Sequence, residues 1–128
     1  ILKISDDEIE FMTGEKDIKT GVKKLIDEYH IPVICATMGK NGSMAFFDGH
    51  IVEAAPFLRD DTVETTGAGD TFCACLLHDV LEHGINDRKD DDVKKMLTFA
   101  NAAASLITTR KGALRVMPDK GEVEAVIK

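Results

Sequence analysis

Hydrophobic positions in the first half of the chain mark out short apolar runs. Residues 1–4, ILKI, form one such run, and residues 31–39, IPVICATMG, form a longer one. A near-continuous apolar run bounded by turn residues predicts a strand that is buried on both faces of a sheet. Residues 43–54, SMAFFDGHIVEA, contain Asp48-Gly49, a strong signal for a tight turn between two strands. This part of the chain therefore predicts two apolar strands and a hairpin.

Helical spacing of apolar residues accounts for most of the remaining chain. Residues 5–14 predict a short helix, because Ser5 and Glu8 fit a capping box and Gly14 is a suitable end. Further helices are predicted at residues 17–30, 68–83 and 90–109. Buried strands that alternate with helices predict an α/β architecture.

The pattern is less decisive near the end of the chain. Residues 110–118, RKGALRVMP, predict a loop with a short extended piece. The tail at residues 122–127, EVEAVI, is compatible with either a helix or a strand. A length of 128 residues suits one domain with a sizeable core.

The charge composition of the chain indicates which classes of binding partner are unfavourable. The chain has 16 Lys and Arg against 23 Asp and Glu, so its net charge is −7. This balance argues against nucleic acid or an anionic membrane as the main partner, and no apolar run is long enough to span a bilayer. The odd number of cysteines, Cys35, Cys73 and Cys75, argues against a disulfide framework. We interpret all three as small buried residues in a reducing cytoplasm.

A glycine-rich stretch, TTGAGDTF at residues 65–72, leads into the predicted helix at 68–83. A helix N-terminus has unpaired N–H groups and a partial positive charge, and glycines allow a ligand to approach closely, so the stretch predicts an anion site. Asp70 would repel phosphate there. It is better explained as a general base that takes a proton from an attacking hydroxyl. A structural role at the helix start explains the short motif equally well.

Three separated blocks resemble the ribokinase-like (PfkB) family of carbohydrate kinases, in particular its fructokinase branch. The blocks are KISDDEIEFMT from Lys3, ETTGAGD from Glu64 and NAAASLITTRKGALRVMP from Asn101. The resemblance implies a three-layer α/β/α ribokinase-like fold, of which residues 1–128 are the C-terminal, nucleotide-binding part. It also implies that the sugar-binding half and its lid are absent. We therefore expect this piece alone to be inactive.

The resemblance assigns catalytic and nucleotide-binding residues. It implies that Asp70 is the catalytic base and that the anion hole is formed by Gly67, Ala68 and Gly69. The implied ATP contacts are Ser5, Thr37, Gly39, Gly42, Gly69 and Asn101.

Simpler explanations stay open for several of these residues. The stretch from Thr37 to Gly42 also fits a plain turn between strands. Asn101 also fits a polar residue on a helix face of small residues. Ser5 and Glu8 fit a capping box that has no further role.

The resemblance also implies two cation sites. Glu8 would organise Mg²⁺ through water. A K⁺ site would use mainly backbone carbonyls at Glu64, Thr66, Ile107, Arg110 and Gly112. Glu64 stands where the family signature has Asp, and its side chain is one methylene longer. K⁺ activation is therefore an open question for this chain.

The leading hypothesis is an ATP-dependent fructokinase that makes fructose 6-phosphate. The partners would be a small-molecule sugar and ATP. Alternative substrates in the same family are ribose, a nucleoside such as aminoimidazole riboside, and 2-keto-3-deoxygluconate. A non-catalytic nucleotide-binding module is favoured only by the change at Glu64, and a plain α/β interaction domain leaves the three blocks unexplained. A sheet cut through its middle would expose an apolar edge, so self-association, as in a homodimer, is expected.

Overall fold

A mixed sheet of four strands forms the centre of the computed structural model, which describes all 128 residues. The strands lie in the order β1-β2-β3-β4. Their bounds are Leu2–Ser5 for β1, Val33–Thr37 for β2, Ser43–Phe47 for β3 and His50–Ala54 for β4. Strand β1 runs parallel to β2, and the other neighbours are antiparallel. Strand β1 therefore forms one edge of the sheet, and self-association through an edge remains a prediction.

Five helices cover the two faces of this sheet. They are α1 (Asp6–Thr13), α2 (Ile18–Tyr29), α3 (Ala68–His83), α4 (Asp90–Ile107) and α5 (Lys120–Ile127). One apolar cluster lies between the sheet and α1 and α2, and a second lies between the sheet and α3 and α4. Helix α5 packs on α4. The layers confirm the expected α/β/α architecture, and none of the helices combines the length and hydropathy that crossing a bilayer requires.

Strand β2 shows why its sequence is almost entirely apolar. Ile34 and Ala36 belong to the cluster beneath α1 and α2, whereas Val33 and Cys35 belong to the cluster beneath α3 and α4. Because successive side chains of a strand point to opposite faces, both faces of β2 are covered by helices. The predicted two-sided burial is confirmed.

The predicted hairpin is also confirmed. Phe47 of β3 pairs with His50 of β4 across a two-residue connection. Asp48 and Gly49 have φ angles of 48° and 75°, which are the positive values that this tight hairpin turn requires. Aspartate and glycine are among the few residues that adopt them at low cost.

The segment after α4 differs from its sequence-based prediction. Residues Ala113–Val116 form a 3₁₀ turn, not an extended piece. Gly112 and Ala113 have positive φ angles that start this turn, and the Arg110 guanidinium donates to the carbonyl of Val116 at 3.0 Å. No strand lies beside these residues to form β-sheet hydrogen bonds with them. Their alternating sequence therefore folds into a local turn and not into a strand. The tail after this turn is a helix, begun by a capping box between Asp119 and Glu122.

The cysteines depart partly from expectation. All three are free, but only Cys35 is buried, while Cys73 and Cys75 on α3 are half-buried. Burial raises the pKa of Cys35 to about 12 and that of Cys75 to about 11, so both thiols stay protonated at neutral pH. The sequence could not show that the positions of Cys73 and Cys75 on α3 are partly exposed to solvent.

Candidate active site

The carboxyl ends of the two parallel strands meet at one edge of the sheet. Ser5 ends β1, Thr37 ends β2, and the two residues are paired in register. In open α/β sheets, ligands bind just outside such carboxyl ends. A cleft of about 520 Å³ opens at this position, between the strand ends, the segment after β4 and the first turn of α3.

Many of the predicted nucleotide and anion contacts share this cleft. Its walls include Ser5, Thr37, Gly39, Gly42, Ala68, Gly69 and Asn101. One predicted member of the anion hole, Gly67, does not line the cleft. The predicted base and cation ligands do not line it either; these are Asp70, Glu8, Glu64, Thr66, Ile107, Arg110 and Gly112. Tertiary structure thus gathers residues from β1, β2, α3 and α4 around one cavity.

The first turn of α3 leaves its backbone donors free. Gly67 is the N-cap with φ 87°, and no side chain caps this helix. The N–H groups of Gly69 and Asp70 donate to no acceptor in the chain. Unpaired donors at the positive end of a helix are the usual features of an anion site.

The Asp70 carboxylate lies in this same first turn and is exposed. It accepts no hydrogen bond and joins no ion pair within the chain, unlike the aspartates that cap α2 and α5. A carboxylate that supports its own helix start would accept a backbone N–H there. The structure therefore gives Asp70 no capping role, and its oxygens are free to meet a substrate.

The connection between β2 and β3 needs its glycines. Gly39–Asn41 form a 3₁₀ turn, and the N–H of Met38 donates to the carbonyl of Gly42 at 2.9 Å. A Cβ atom at Gly42 would lie 2.2 Å from the carbonyl oxygen of Ala54, and its φ is 89°. Gly39 has φ 54° and open space around it. Gly42 therefore allows the turn to pack closely, while Gly39 leaves room beside the cleft.

Asn101 has a structural role that the sequence did not reveal. It is buried, with 9% of its surface exposed. Its side-chain amide donates to the carbonyl of Ala55 at 3.0 Å and, more weakly, to that of Ala54 at 3.4 Å. These bonds attach the segment after β4 to α4 and fix one wall of the cleft. The adenine contact implied for Asn101 stays a prediction, and it would have to use the carbonyl oxygen or the face of the amide.

Ser5 and Glu8 form the complete capping box of α1. The Ser5 hydroxyl accepts from the N–H of Glu8 at 3.2 Å, and Glu8 Oε2 accepts from the N–H of Ser5 at 2.8 Å. The backbone hydrogen bond from Ser5 is the main cause that lowers the pKa of Glu8, with smaller contributions from the Ser5 hydroxyl and the charge of Lys3. Only the second carboxylate oxygen of Glu8, Oε1, is left without a partner.

The segments implied for K⁺ lie side by side. The N–H groups of Val63 and Glu64 donate to the carbonyl of Thr108 at 2.8 and 3.1 Å. A Cβ atom at Gly67 would lie 3.3 Å from Ala113 and 3.5 Å from Ile107. No group of three or more carboxylate, imidazole or thiolate side chains converges anywhere in the structure. A cation at this position would therefore have to rely on backbone carbonyls.

Three cationic residues of the cleft, Lys3, Lys40 and Arg59, were missed as site residues. Lys3 comes from β1, and Arg59 comes from the segment after β4, where it forms a bidentate ion pair with Asp61 at 2.8 and 2.9 Å. This pair raises the pKa of Arg59 and lowers that of Asp61. Side chains alternate between the two faces of β1, and Leu2 and Ile4 lie on the face towards α1 and α2. Lys3 therefore lies on the face towards α3, and the sequence would have shown this if the position of β1 had been known.

Comparison with known proteins agrees with this geometry. Residues 1–120 match the family described as pfkB family carbohydrate kinase. The fructokinase of Klebsiella pneumoniae is 34% identical over 125 residues, which are 96% of this chain and 39% of that protein.

Solved structures show the same fold. The fructokinase of Vibrio cholerae O395, determined with fructose, ADP and calcium, has a TM-score of 0.83 at 25% identity over 99% of this chain and 41% of that one. The Arabidopsis thaliana ribokinase, determined with ribose and ATP, has a TM-score of 0.79 at 27% identity over 99% of this chain and 40% of that one. The chain spans 39% of the length of its first curated relatives. It has the ribokinase-like α/β fold and belongs to the pfkB family of carbohydrate kinases.

Proposed function

We propose that this chain is the C-terminal, nucleotide-binding and catalytic part of an ATP-dependent sugar kinase that acts on fructose. The observation that carries the proposal is the first turn of α3. There an unpaired carboxylate, Asp70, stands beside N–H groups that have no acceptor, next to a cleft of about 520 Å³. A base beside an anion site is the combination that phosphoryl transfer to a hydroxyl requires.

In this proposal the cleft and the adjoining first turn of α3 each contribute to the reaction. The turn at Gly39 and Gly42 lets the nucleotide approach the backbone, and Thr37 offers a hydroxyl to it. The free N–H groups of α3 hold the charge that builds up on the transferring phosphoryl group, because they are fixed in place before the reaction begins. Asp70 takes the proton of the sugar hydroxyl as the oxygen of that hydroxyl attacks the γ-phosphorus in line. The bond between the γ-phosphorus and the bridging oxygen breaks at the same time, and ADP leaves.

The chain offers too few side-chain ligands to surround Mg²⁺ completely, so it suits an ion that keeps most of its water ligands. Mg²⁺ commonly keeps several waters and needs one or two carboxylates in addition to substrate phosphates. Glu8 Oε1 is the free carboxylate oxygen available for this, since Oε2 is held by the N–H of Ser5. The bound ion would neutralise charge on the phosphates. The segments at residues 63–67 and 107–113 would hold K⁺ through carbonyls in the same proposal.

Fructose is proposed as the substrate because relatives of this chain include proteins named fructokinase. Ribose, a nucleoside and 2-keto-3-deoxygluconate are the competing substrates. We expect the sugar contacts to come from residues outside this chain, and therefore no sugar turnover by residues 1–128 alone. The free cysteines suit the reducing cytoplasm in which we expect the enzyme to work.

The test is ADP release by the longest form of the protein that carries this chain. It is supplied with Mg²⁺, ATP and, in turn, fructose, ribose and a nucleoside, with an Asp70→Asn variant as control. Release driven by fructose and abolished in the variant supports the whole proposal. Release driven by another compound contradicts the substrate but not the mechanism. ATP binding without turnover of any sugar would instead favour a non-catalytic module.

A further inference from the structure

A second cavity, of about 400 Å³, lies between α3, α4 and the segment that leads into α5. Its lining residues fall within 71–83, 95–103 and 117–123. This helix cavity shares no lining residue with the cleft. Helix α4 separates the two spaces, because Asn101 and Ser105 line the cleft whereas Phe99 and Ala103 line the helix cavity. The proposed kinase reaction leaves the helix cavity without a role.

The walls of the helix cavity include a largely apolar patch. Met96, Phe99 and Ala103 come from α4, Cys75 comes from α3, and Met117 comes from the segment before α5. All five residues are buried or half-buried. Aromatic rings pack well against one another in offset arrangements, and methionine sulfur makes favourable contacts with ring edges. A ring system therefore suits this patch, and the volume lies in the range of about 300–1,000 Å³ that small-molecule sites have.

Thr71 adds a polar group to the wall of the cavity. The residue is 4% exposed, and its Oγ1 has no hydrogen-bond partner within the chain. Buried hydroxyls are normally hydrogen-bonded. An apolar cavity with a few polar groups on its walls is typical of a site that binds and orients a small molecule.

The charges around the helix cavity favour an anion. All three acidic side chains of its lining have partners in the chain: Asp79 with Arg88 at 2.7 Å, Glu82 with His78 at 3.5 Å, and Asp119 with the N–H of Glu122 at 2.9 Å. Lys120 lies 4.0 Å from Glu124. Lys95 is exposed and takes part in none of the ion pairs of the chain. The charge left uncompensated at the cavity is therefore positive, and it complements a negative group.

We propose that the helix cavity binds a small aromatic acid, which is a ring system that carries one carboxylate or sulfonate group. The ring packs against Met96, Phe99 and Met117, and the acidic group meets the Lys95 ammonium at the rim. This inference goes beyond the proposed function and does not depend on it, because no residue of the cleft takes part.

The experiment uses anilinonaphthalene sulfonate, an aromatic sulfonate whose fluorescence rises when it moves from water into an apolar site. The dye is titrated into the protein that carries this chain, with excess ATP present to occupy the cleft. Phenylnaphthylamine, which has the same rings without the sulfonate, serves as the neutral probe. We expect saturable binding of the sulfonate dye that ATP does not prevent.

Two variants with matched controls locate the dye. Lys95→Gln should weaken the sulfonate dye by about two- to fivefold, the range for a partly exposed ion pair, and should leave the neutral dye unchanged. Lys94→Gln is its control, because Lys94 is also exposed on α4 but does not line the cavity. Ala74→Phe places a ring in the cavity from an exposed position on α3 and should block both dyes. Ala125→Phe makes the same change at an exposed position of α5 outside the cavity and should affect neither dye.

The remaining outcomes overturn the proposal. The wild type should not fail to bind the sulfonate dye, and ATP should not displace it. Binding that survives Ala74→Phe, or is lost equally in Ala125→Phe, shows that the dye lies elsewhere. A sulfonate dye that Lys95→Gln leaves unaffected, or that Lys94→Gln weakens equally, shows that the cavity does not recognise the acidic group. Circular dichroism and urea unfolding of each variant show that the readings come from folded protein, and the charge variant and the ring variant give independent results.

Discussion

The N-termini of α1 and α3 border the same cleft, yet the backbone N–H groups are hydrogen-bonded by side chains at α1 and left unpaired at α3. At α1, Ser5 and Glu8 satisfy each other's N–H groups at 3.2 and 2.8 Å. At α3, the cap is Gly67, which has no side chain to offer, and the following donors stay free. One helix start is closed by its own residues, and the other is left open.

The difference shows how a chain keeps a binding site available. A side-chain cap stabilises a helix by about 0.5–2 kcal/mol, and α3 goes without this contribution. Its donors can then serve an anion, which a capped helix could not bind as well. If this comparison is sound, changes at α3 should affect chemistry and ligands, whereas changes at α1 should affect stability.

The largest effect is expected for Asp70→Asn. The change removes the proposed base while keeping its shape, and no hydrogen bond within the chain is lost, since the Asp70 side chain makes none. We expect kcat for ADP release to fall by about 10²- to 10⁴-fold. Circular dichroism and the urea midpoint should be unchanged. Turnover within a factor of two of the wild type would contradict the assignment of Asp70 as the base.

The next largest effect is expected when Gly67→Ala is compared with Gly14→Ala. Gly67 and Gly14 have φ angles of 87° and 72°, so alanine is strained at either position by about 1–2 kcal/mol. Gly14 has nothing within 4 Å of a Cβ, but at Gly67 the Cβ would meet Ala113 at 3.3 Å and the start of α3 would shift.

Urea unfolding and ATP calorimetry should show this difference between the glycine variants. Both should lose stability, Gly67→Ala more than Gly14→Ala. Only Gly67→Ala should weaken ATP, because only that residue shapes the open helix start. An equal loss of ATP affinity in the two variants would disprove the contrast.

A smaller effect is expected for Ser5→Ala. The variant removes the hydroxyl that caps α1, so the free energy of unfolding should fall by about 1 kcal/mol. A change of this size is measurable as a lower urea midpoint at constant slope. ATP affinity should stay near that of the wild type. A loss of ATP binding with unchanged stability would show that Ser5 contacts the ligand and that its capping role is secondary.

The smallest effect is a pH dependence at α1. The pKa of Glu8 is lowered from its ordinary value of 4.5, chiefly by the N–H of Ser5. A lowered pKa in the folded state adds stability above the unfolded value, and this contribution disappears as pH falls through the folded pKa. Glu8→Gln keeps an oxygen for Ser5 but removes the charge.

Urea unfolding of the wild type and Glu8→Gln at several pH values tests this. The wild type should be the more stable protein above about pH 5. The difference in unfolding free energy between the two proteins should shrink as pH falls below 4.5, the ordinary pKa of Glu8. The other lowered carboxyls, such as Glu122, contribute equally to both proteins. A difference that stays constant down to low pH would rule out an electrostatic role for Glu8. A change in the Mg²⁺ requirement of turnover would support its proposed part in metal binding.

Local rules made several features readable from the sequence. The capping box at Ser5 and Glu8, the turn at Asp48 and Gly49, and the start of α3 near residue 68 were all predicted and are present. Each depends on hydrogen bonds or backbone angles within a few residues, and few residue types can satisfy them. The same rules failed at residues 113–116, where an alternating pattern met no neighbouring strand.

The sequence by itself thus determined most of the elements of this protein and, through its motifs, the family to which it belongs. Only the tertiary structure decided what those elements place together. Asn101 reaches Ala55 across 46 positions, and Lys3 of the first strand lies against Gly69. Such contacts depend on how the sheet and the helices of both layers pack as a whole. The physical reason is that local propensities act within a few residues, whereas a cleft forms from segments that only the packed core brings side by side.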